Sequence, residues 1–452
     1  MTVQGKARFL WPWCLTLVQV ARPLTGETPS VSWPPSHWSG AARPLALDAA
    51  FGYQAMIMDY YNRLHTALLS LHKLAAWPLW RVITAVLLLV LTAGLLGAAT
   101  GHTVGLGLAL GLGLLLFVAS DALLLAALPR LHLSYGPVQP PLLALAVVRW
   151  LASLVAALLL LILPTIWPAV LLGASHVLLS VLAIYGCMIE PFHLTLTRLD
   201  LSHPKLTALS RPLRILHLSD LHMERPTRRD EEVLALAADL APDMIVVTGD
   251  YPNLSYTDDD IAIGYARQWL GRLDAPLGVY AVLGTPEVDV RHRMDDLFGG
   301  TGVRLLRNEA IPVMAGDQVV TLVGVTCERE PVQDCEALDA VLSETPPVGF
   351  TVLLYHMPDL MPEAAARGID LYLAGHTHGG QWRVPGYGAV ITSSVYGKRY
   401  EMGHYVEGAT QLYVSRGLGM EGLAAPRARF LCPPEVVLLI LRPPQGPGKA
   451  GA

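Results

Sequence analysis

The chain has 452 residues, 53% of them hydrophobic and only 15% charged, against roughly 25% charged in ordinary soluble domains. Its formal net charge of −5 is far from the basic excess of a general nucleic-acid binder, so no nucleic-acid partner is expected. Five cysteines, at Cys14, Cys187, Cys327, Cys335 and Cys432, are odd in number and show no Cys-x2-Cys spacing, which fits a reduced compartment without a disulfide framework.

In chain order, residues 1–80 form the least legible part. Lys6 and Arg8 followed by an apolar stretch at 9–21 loosely resemble a signal peptide, but Pro12, two tryptophans and a poor cleavage region count against it. Residues 25–43 are rich in Pro, Ser and Gly and read as a disordered linker. Residues 53–80, with Tyr60, Tyr61, Trp77 and Trp80, suit a helix lying at headgroup depth. The whole segment 1–80 is expected to be partly disordered or interfacial.

A membrane region follows at 81–190. Apolar runs at 82–99, 104–128, 142–163 and 165–188 are each long enough, or nearly so, to cross about 30 Å of hydrocarbon. Four spans are expected. Asp121 and Arg149 are the only formal charges inside them, and Asp121 is placed near the inner end of its helix, reaching the interface beside Arg130. Gly107 with Gly111, and Ala109 with Gly113, stand four apart, a spacing that suits close helix packing or a homodimer through this Gly-rich helix. Arg63, Lys73 and Arg81 precede the first run, Arg130 and Arg149 flank the second loop, and Arg198, Lys205, Arg211 and Arg214 follow the fourth, while the other two loops carry none. The positive-inside rule then puts both ends, and the C-terminal half, in the cytoplasm of a multi-pass cell-membrane protein.

Beyond this region several short apolar runs stop at a potential metal ligand. Arg214 to Ser219 leads to Asp220 and His222, Met244 to Thr248 to Gly249-Asp250, Phe350 to Tyr355 to His356, and Asp370 to Ala374 to Gly-His376-Thr-His378-Gly-Gly-Gln. Between the first two, Val233, Leu234, Leu236, Ala237 and Leu240 recur at helical spacing. Strand, helix, strand in that order implies a right-handed crossover with the strand ends along one edge, where α/β sheets build sites. Two carboxylates and four imidazoles exceed what one small ion needs. They suit two divalent ions sharing a bridging carboxylate, with manganese, iron or zinc favoured by an N/O donor set without thiolate.

This order of motifs, with Leu412-Tyr-Val-Ser-Arg-Gly-Leu-Gly and Arg429-Phe-Leu-Cys-Pro-Pro-Glu after it, resembles the calcineurin-like metallophosphoesterase superfamily, in the membrane-attached branch that includes transmembrane proteins with a metallophosphoesterase domain. The likeness runs over residues 212–441. It implies an α-β-β-α sandwich, one ion held by Asp220, His222, Asp250 and His378, and a second held by Asp250 with His356 and His376. It also implies a hydroxide bridging the two ions that attacks phosphorus.

The resemblance breaks at one place. The family's Gly-Asn-His-Asp/Glu segment reads Gly284-Thr285-Pro286-Glu287 here, so a weak hydroxyl donor replaces the amide ligand and a proline replaces an imidazole. Either the enzyme works slowly or uses a leaving group that needs no protonation, or another residue takes that role, His292, His404 or Asn253 being the candidates, or the domain binds metal or ligand without turnover.

The expected whole is therefore a multi-pass helical region followed by a cytoplasmic metal-dependent phosphoester hydrolase, phosphodiesterase or phosphatase, with a lipid-linked phosphate as substrate because tethering concentrates membrane-embedded molecules. Basic residues gather at Arg383, Lys398, Arg399, Arg416, Arg427 and Arg429, either as ordinary surface charge or, for some of them, to hold a phosphate or an anionic headgroup. The Pro- and Gly-rich tail at 442–452 is expected to be disordered.

Overall fold

A computed structural model describes residues 72–421 and 427–444. The signal-like stretch, the linker, most of the tyrosine-rich segment and most of the tail lie outside those residues.

Four helices open the described chain: α1 (Leu79–Thr100), α2 (Val104–Ala127), α3 (Gln139–Leu159) and α4 (Ile166–Ile184). All four are long and apolar enough to cross a membrane. Leu88, Leu91, Leu95, Leu108, Leu112 and Leu116 stand exposed, an outer surface that suits a hydrocarbon surrounding. The Thr103 side chain accepts the Leu106 N–H and starts α2, and prolines in the first turn of α3 cost no hydrogen bond there. The glycine face expected to suit a dimer packs within the chain: a Cβ on Gly107 would meet the Gly94 carbonyl oxygen at 2.5 Å, so α1 and α2 approach backbone to backbone.

Asp121 does not reach out to an interface beside Arg130. It is buried and accepts two hydrogen bonds from Arg149, Nε at 2.6 Å and Nη2 at 2.8 Å. Arg149 also donates to the His176 carbonyl and the Ser180 hydroxyl, each at 2.8 Å, and lies over the Phe117 ring. Three helices thereby share one closed ion pair. A charge inside a span is costly unless paired, and here the pairing partner is on the neighbouring helix.

From α4 the chain continues through a wide turn at Tyr185–Ile189 and a tight one at Glu190–Phe192 into a sandwich. Its first sheet has the order β1 (Thr195–Ser202), β14 (Glu435–Arg442), β2 (Leu213–Leu218), β3 (Met244–Thr248), β4 (Val279–Val282) and β5 (Arg304–Leu305). The second runs β12 (Gly403–Glu407), β13 (Thr410–Val414), β9 (Leu371–Ala374), β8 (Phe350–Leu354), β7 (Gln318–Gly324) and β6 (Glu309–Ala315). A small hairpin, β10 (Arg383–Val384) with β11 (Gly388–Ala389), stands apart. Because β1 pairs along β14, the sandwich takes in chain upstream of residue 212.

Alternation along the strands explains the layers. Leu213 and Ile215 of β2, with Met244 and Val246 of β3, face the second sheet and meet Phe350, Val352, Leu371 and Leu373. Leu216, Leu218, Ile245 and Val247 face the other way, against α5 (Arg228–Leu240), α6 (Asp260–Leu270) and α7 (Met294–Phe298). Behind the second sheet, Leu338 and Val341 of α8 (Pro331–Glu344) and Met361 and Ala364 of α9 (Met361–Ala366) pack on Leu353 and Tyr372. The result is helix, sheet, sheet, helix. Strands β2, β3 and β4 are mutually parallel, as are β8, β9 and β13, so six C-terminal strand ends gather at one rim.

Candidate metal centre

Each ligand-type residue found in the sequence sits just past a strand of that rim: Asp220 and His222 after β2, Asp250 after β3, His356 after β8, His376 and His378 after β9. The structure brings all six together in two triads. In one, donor atoms of Asp220, His222 and His378 lie within 4.8 Å of one another, and in the other, those of Asp250, His356 and His376 do. Asp250 Oδ2 joins them, standing 3.3 Å from His356 Nε2 and 3.7 Å from His222 Nε2. The two histidine pairs are close as well: His222 Nε2 to His378 Nε2 is 3.0 Å, and His356 Nε2 to His376 Nδ1 is 3.1 Å.

Five of the six, all but His356, have a positive φ, from 43° at His222 to 69° at His376. Side-chain-bearing residues adopt that conformation at a cost of about 1–3 kcal/mol each, and such strain collects where geometry serves function. Glycines make the crowding feasible. A Cβ on Gly375 would fall 2.3 Å from Asp220 Oδ2, and one on Gly284 2.3 Å from Asp250 Oδ1.

The imidazoles are held by their outward nitrogens. His356 Nδ1 donates to the Thr248 carbonyl at 2.7 Å and His376 Nε2 to the Ser393 carbonyl at 3.0 Å, leaving the other nitrogen of each facing inward. His222 Nδ1 lies 3.1 Å from Glu421 Oε2, so a carboxylate backs a candidate ligand, an arrangement that orients metal-binding histidines. Electrostatics follow. Burial opposes charge on His356, but the adjoining Asp250 carboxylate outweighs it and lifts its pKa to about 9. Burial likewise works against Asp250, yet His356 and His222 hold its carboxyl well below the usual carboxylate range. Burial, reinforced by neighbouring His356 and His222 respectively, keeps His376 and His378 neutral. Asp250, His376 and His378 are thereby held in the forms that bind metal, whereas His356 would have to give up a proton to an incoming ion.

Thr285 enters the second triad. Its hydroxyl lies 3.2 Å from Asp250 Oδ2, 3.3 Å from His356 Nε2 and 3.5 Å from His376 Nδ1. The candidates for the missing imidazole are engaged otherwise. His292 and His404 are exposed and pair with Asp258 and Gln411, both at 3.0 Å, while Asn253 is buried and bonds Met420 and Arg427.

Two carboxylates escaped the sequence reading. Glu421 is one. The other, Asp289, accepts the N–H groups of Asp250, Tyr251 and Gly284 at 2.9, 2.9 and 2.6 Å, fixing the turns that carry Asp250 and Thr285; burial and then Asp250 raise its pKa to about 7. The only sequence signal for either was an acid near a glycine turn. The basic residues expected to hold phosphate are mostly spoken for. Arg383 pairs with Glu401, Arg399 with Glu407, Arg416 with Glu435 and Arg427 with Glu224. Lys398 donates to the Tyr387 carbonyl, and Arg429 is fully buried on the carbonyls of Arg416, Gly417, Gly419 and Cys432.

The model of the calcineurin-like phosphoesterase family matches residues 213–380. An uncharacterized metallophosphoesterase of Aquifex aeolicus is 31% identical over 61% of this chain and 97% of its own length. The UDP-2,3-diacylglucosamine pyrophosphatase LpxG of Chlamydia trachomatis is 26% identical over 56% of this chain and 90% of its own. A transmembrane protein with metallophosphoesterase domain from Danio rerio is 24% identical over 55% of this chain and 58% of its own.

Proposed function

We propose that this chain, which belongs to the calcineurin-like phosphoesterase family, is a hydrolase of phosphoester bonds anchored by its four apolar helices and working with two divalent ions. The observation that carries the reading is the pair of buried N/O triads joined through Asp250.

The donor set fits the ions. It offers six nitrogen and oxygen ligands, fixed tautomers at His356 and His376, and a carboxylate behind His222. Asp220, His222 and His378 would hold one ion, His356 and His376 the second, and Asp250 both, with the Thr285 hydroxyl beside the second ion's donors where the family has an amide. Such a pair lowers the pKa of water, polarises a phosphoryl oxygen and neutralises charge developing in an in-line displacement. The chain's own part is positional: Asp289 locks the Asp250 and Gly284 turns, and Glu421 orients His222. Pro286 brings no proton to the leaving group, so esters with a good leaving group are the favoured substrates. Manganese, iron and zinc all suit these donors.

The relative named as a UDP-2,3-diacylglucosamine pyrophosphatase, together with four span-length helices, supports a lipid-linked phosphate as substrate. The basic flanks of the helices support a cytoplasmic catalytic half in a multi-pass cell-membrane protein. Turnover of bis-p-nitrophenyl phosphate by the purified full chain with manganese tests the hydrolase reading. No rate above an Asp250→Asn control rejects it.

Thr285-Pro286 favours a second reading, in which the domain binds metal or ligand as a membrane module without turnover. Replacing Thr285→Asn with Pro286→His restores the family pattern. A large rise from near zero rate supports the second reading, and little change supports the first.

A further inference from the structure

Segment 382–393 is tied at both ends to candidate ligands. It begins just after the His378 turn, and it ends at Ser393, whose carbonyl accepts the His376 Nε2 proton at 3.0 Å. Its middle is the hairpin of β10 and β11, prolonged by one more pair because the Val390 N–H donates to the Trp382 carbonyl at 3.0 Å. Side chains alternate across such a ladder, so its two faces have different neighbours. Arg383 and Ala389 make the inner face: Ala389 is buried, and Arg383 donates to the Gly379 carbonyl at 2.9 Å and to Glu401 Oε1 at 2.8 Å. Trp382, Val384 and Val390 make the outer one.

Trp382 shows where the outer face leads. It packs with Leu125 and Leu128 at the end of α2, and its ring lies 6.4 Å from Phe430, which in turn stands 5.8 Å from Tyr185 at the end of α4. The face is thus continuous with the ends of two span-length helices. Beyond Trp382 it runs on uncovered, with Val384, Val390 and Tyr387 at the hairpin tip all exposed. Two exposed cations border it. Lys398 stands 3.0 Å from the centre of the Tyr387 ring and donates to the Tyr387 carbonyl at 2.7 Å, and Arg130 at the end of α2 donates to the Ala126 carbonyl at 3.2 Å. Neither has a carboxylate partner among the described residues. Exposed apolar side chains rimmed by cations, where apolar spans end, match the headgroup layer of an anionic bilayer.

We propose that this hairpin docks on the membrane, with Val384, Tyr387 and Val390 in the headgroup layer around the four helices and Lys398 against anionic lipid. The inference rests on α1–α4 being spans and not on the hydrolase reading. The cytoplasmic leaflet, where the basic flanks put this half, is the anionic one. Because the docked segment carries the carbonyl that holds His376 and follows directly on the His378 turn, docking sets the candidate metal centre at the lipid surface.

The test reads lipid contact directly, with bimane-labelled full-length protein in nanodiscs of phosphatidylserine and phosphatidylcholine. The label goes on Val384→Cys, on Leu91→Cys in α1, or on Val348→Cys, exposed ahead of β8 and so away from the rim. Cys14→Ser and Cys335→Ser leave only the buried thiols of Cys187, Cys327 and Cys432 as background. Nitroxide lipids, labelled just below the headgroup or at mid-chain for Leu91, supply the quencher. Quenching at Val384 should exceed that at Val348 about threefold or more, as expected of a side chain at headgroup depth. Lys398→Ala should lower the ratio of docked to undocked hairpin about fivefold, read as weaker quenching at Val384. Equal quenching at Val384 and Val348, with Leu91 quenched, overturns docking alone. An unquenched Leu91 overturns the span reading and docking with it. Quenching at Val384 that neither Lys398→Ala nor pure phosphatidylcholine lowers strikes out anionic lipid as the partner.

Discussion

The molecule buries charge in two places and treats it in opposite ways. In the helical half, Asp121 and Arg149 close on each other: both carboxylate oxygens are taken by guanidinium nitrogens, whose other bonds go to His176 and Ser180. At the sandwich rim, two carboxylates and four imidazoles converge with their ligand-type atoms close together. Backbone there is strained at five of six positions, whereas neither Asp121 nor Arg149 has a positive φ. A cluster whose charges cancel asks for nothing more. One that gathers carboxylates and imidazoles in a buried space is suited to cations that take the place of its protons.

That contrast is open to breaking, and the largest effect belongs to the carboxylate shared by both triads. Several kcal/mol of charge stabilisation is what such an ion supplies, so Asp250→Asn should lower turnover of an activated diester on the order of 10³-fold. Metal analysis of the same variant should show fewer than the about two ions per chain expected of the native protein. Next comes the helical pair. Arg149→Leu leaves Asp121 uncompensated and should destabilise the helical half by about 3 kcal/mol, read as a lower thermal midpoint in detergent, with metal content unchanged. Adding Asp121→Leu should recover much of that loss, because removing both charges leaves nothing unpaired. The same double change would have no counterpart at the rim.

Smaller effects sharpen the picture. Glu421→Gln keeps the shape but weakens the acceptor behind His222, and metal titration should show roughly 10–100-fold lower affinity for one ion. Thr285→Val, which deletes a single weak hydroxyl donor, should cost the second ion less than about tenfold in affinity by the same titration. If Thr285→Val costs more than Glu421→Gln, the hydroxyl is a stronger ligand than its chemistry suggests.

The rim is legible in the sequence because each candidate ligand, from Asp220 through His378, closely follows an apolar run of strand length. The helix from Asp230 and the four apolar runs were legible for the same reason, a period or a length that only one structure satisfies. Glu421 and Asp289 were not. They act through contacts with residues 199 and 39 positions away, and nothing periodic surrounds them. Asp121 was misplaced because its partner is 28 residues off on the next helix; opposite charges in two adjoining spans were the available signal. The Gly107–Gly111 face was ambiguous because small residues announce close packing without saying which helix comes close. Arg427 and Arg429 looked like surface cations until burial and their carbonyl or carboxylate partners were visible.

One seam has a practical meaning for anyone who would isolate the catalytic half. Helix α4 leads through the turn at Tyr185–Ile189 to Glu190, whose carboxylate accepts the N–H groups of Leu431 and Cys432, and the Cys432 thiol in turn donates to the His378 carbonyl at 3.1 Å. Arg429 N–H reaches back to Gly186 at 2.9 Å. Cutting the chain after Phe192 to make a soluble fragment would therefore sever the stay that steadies the Gly-His-Thr-His turn. Such a fragment would sag at the centre it was made to display.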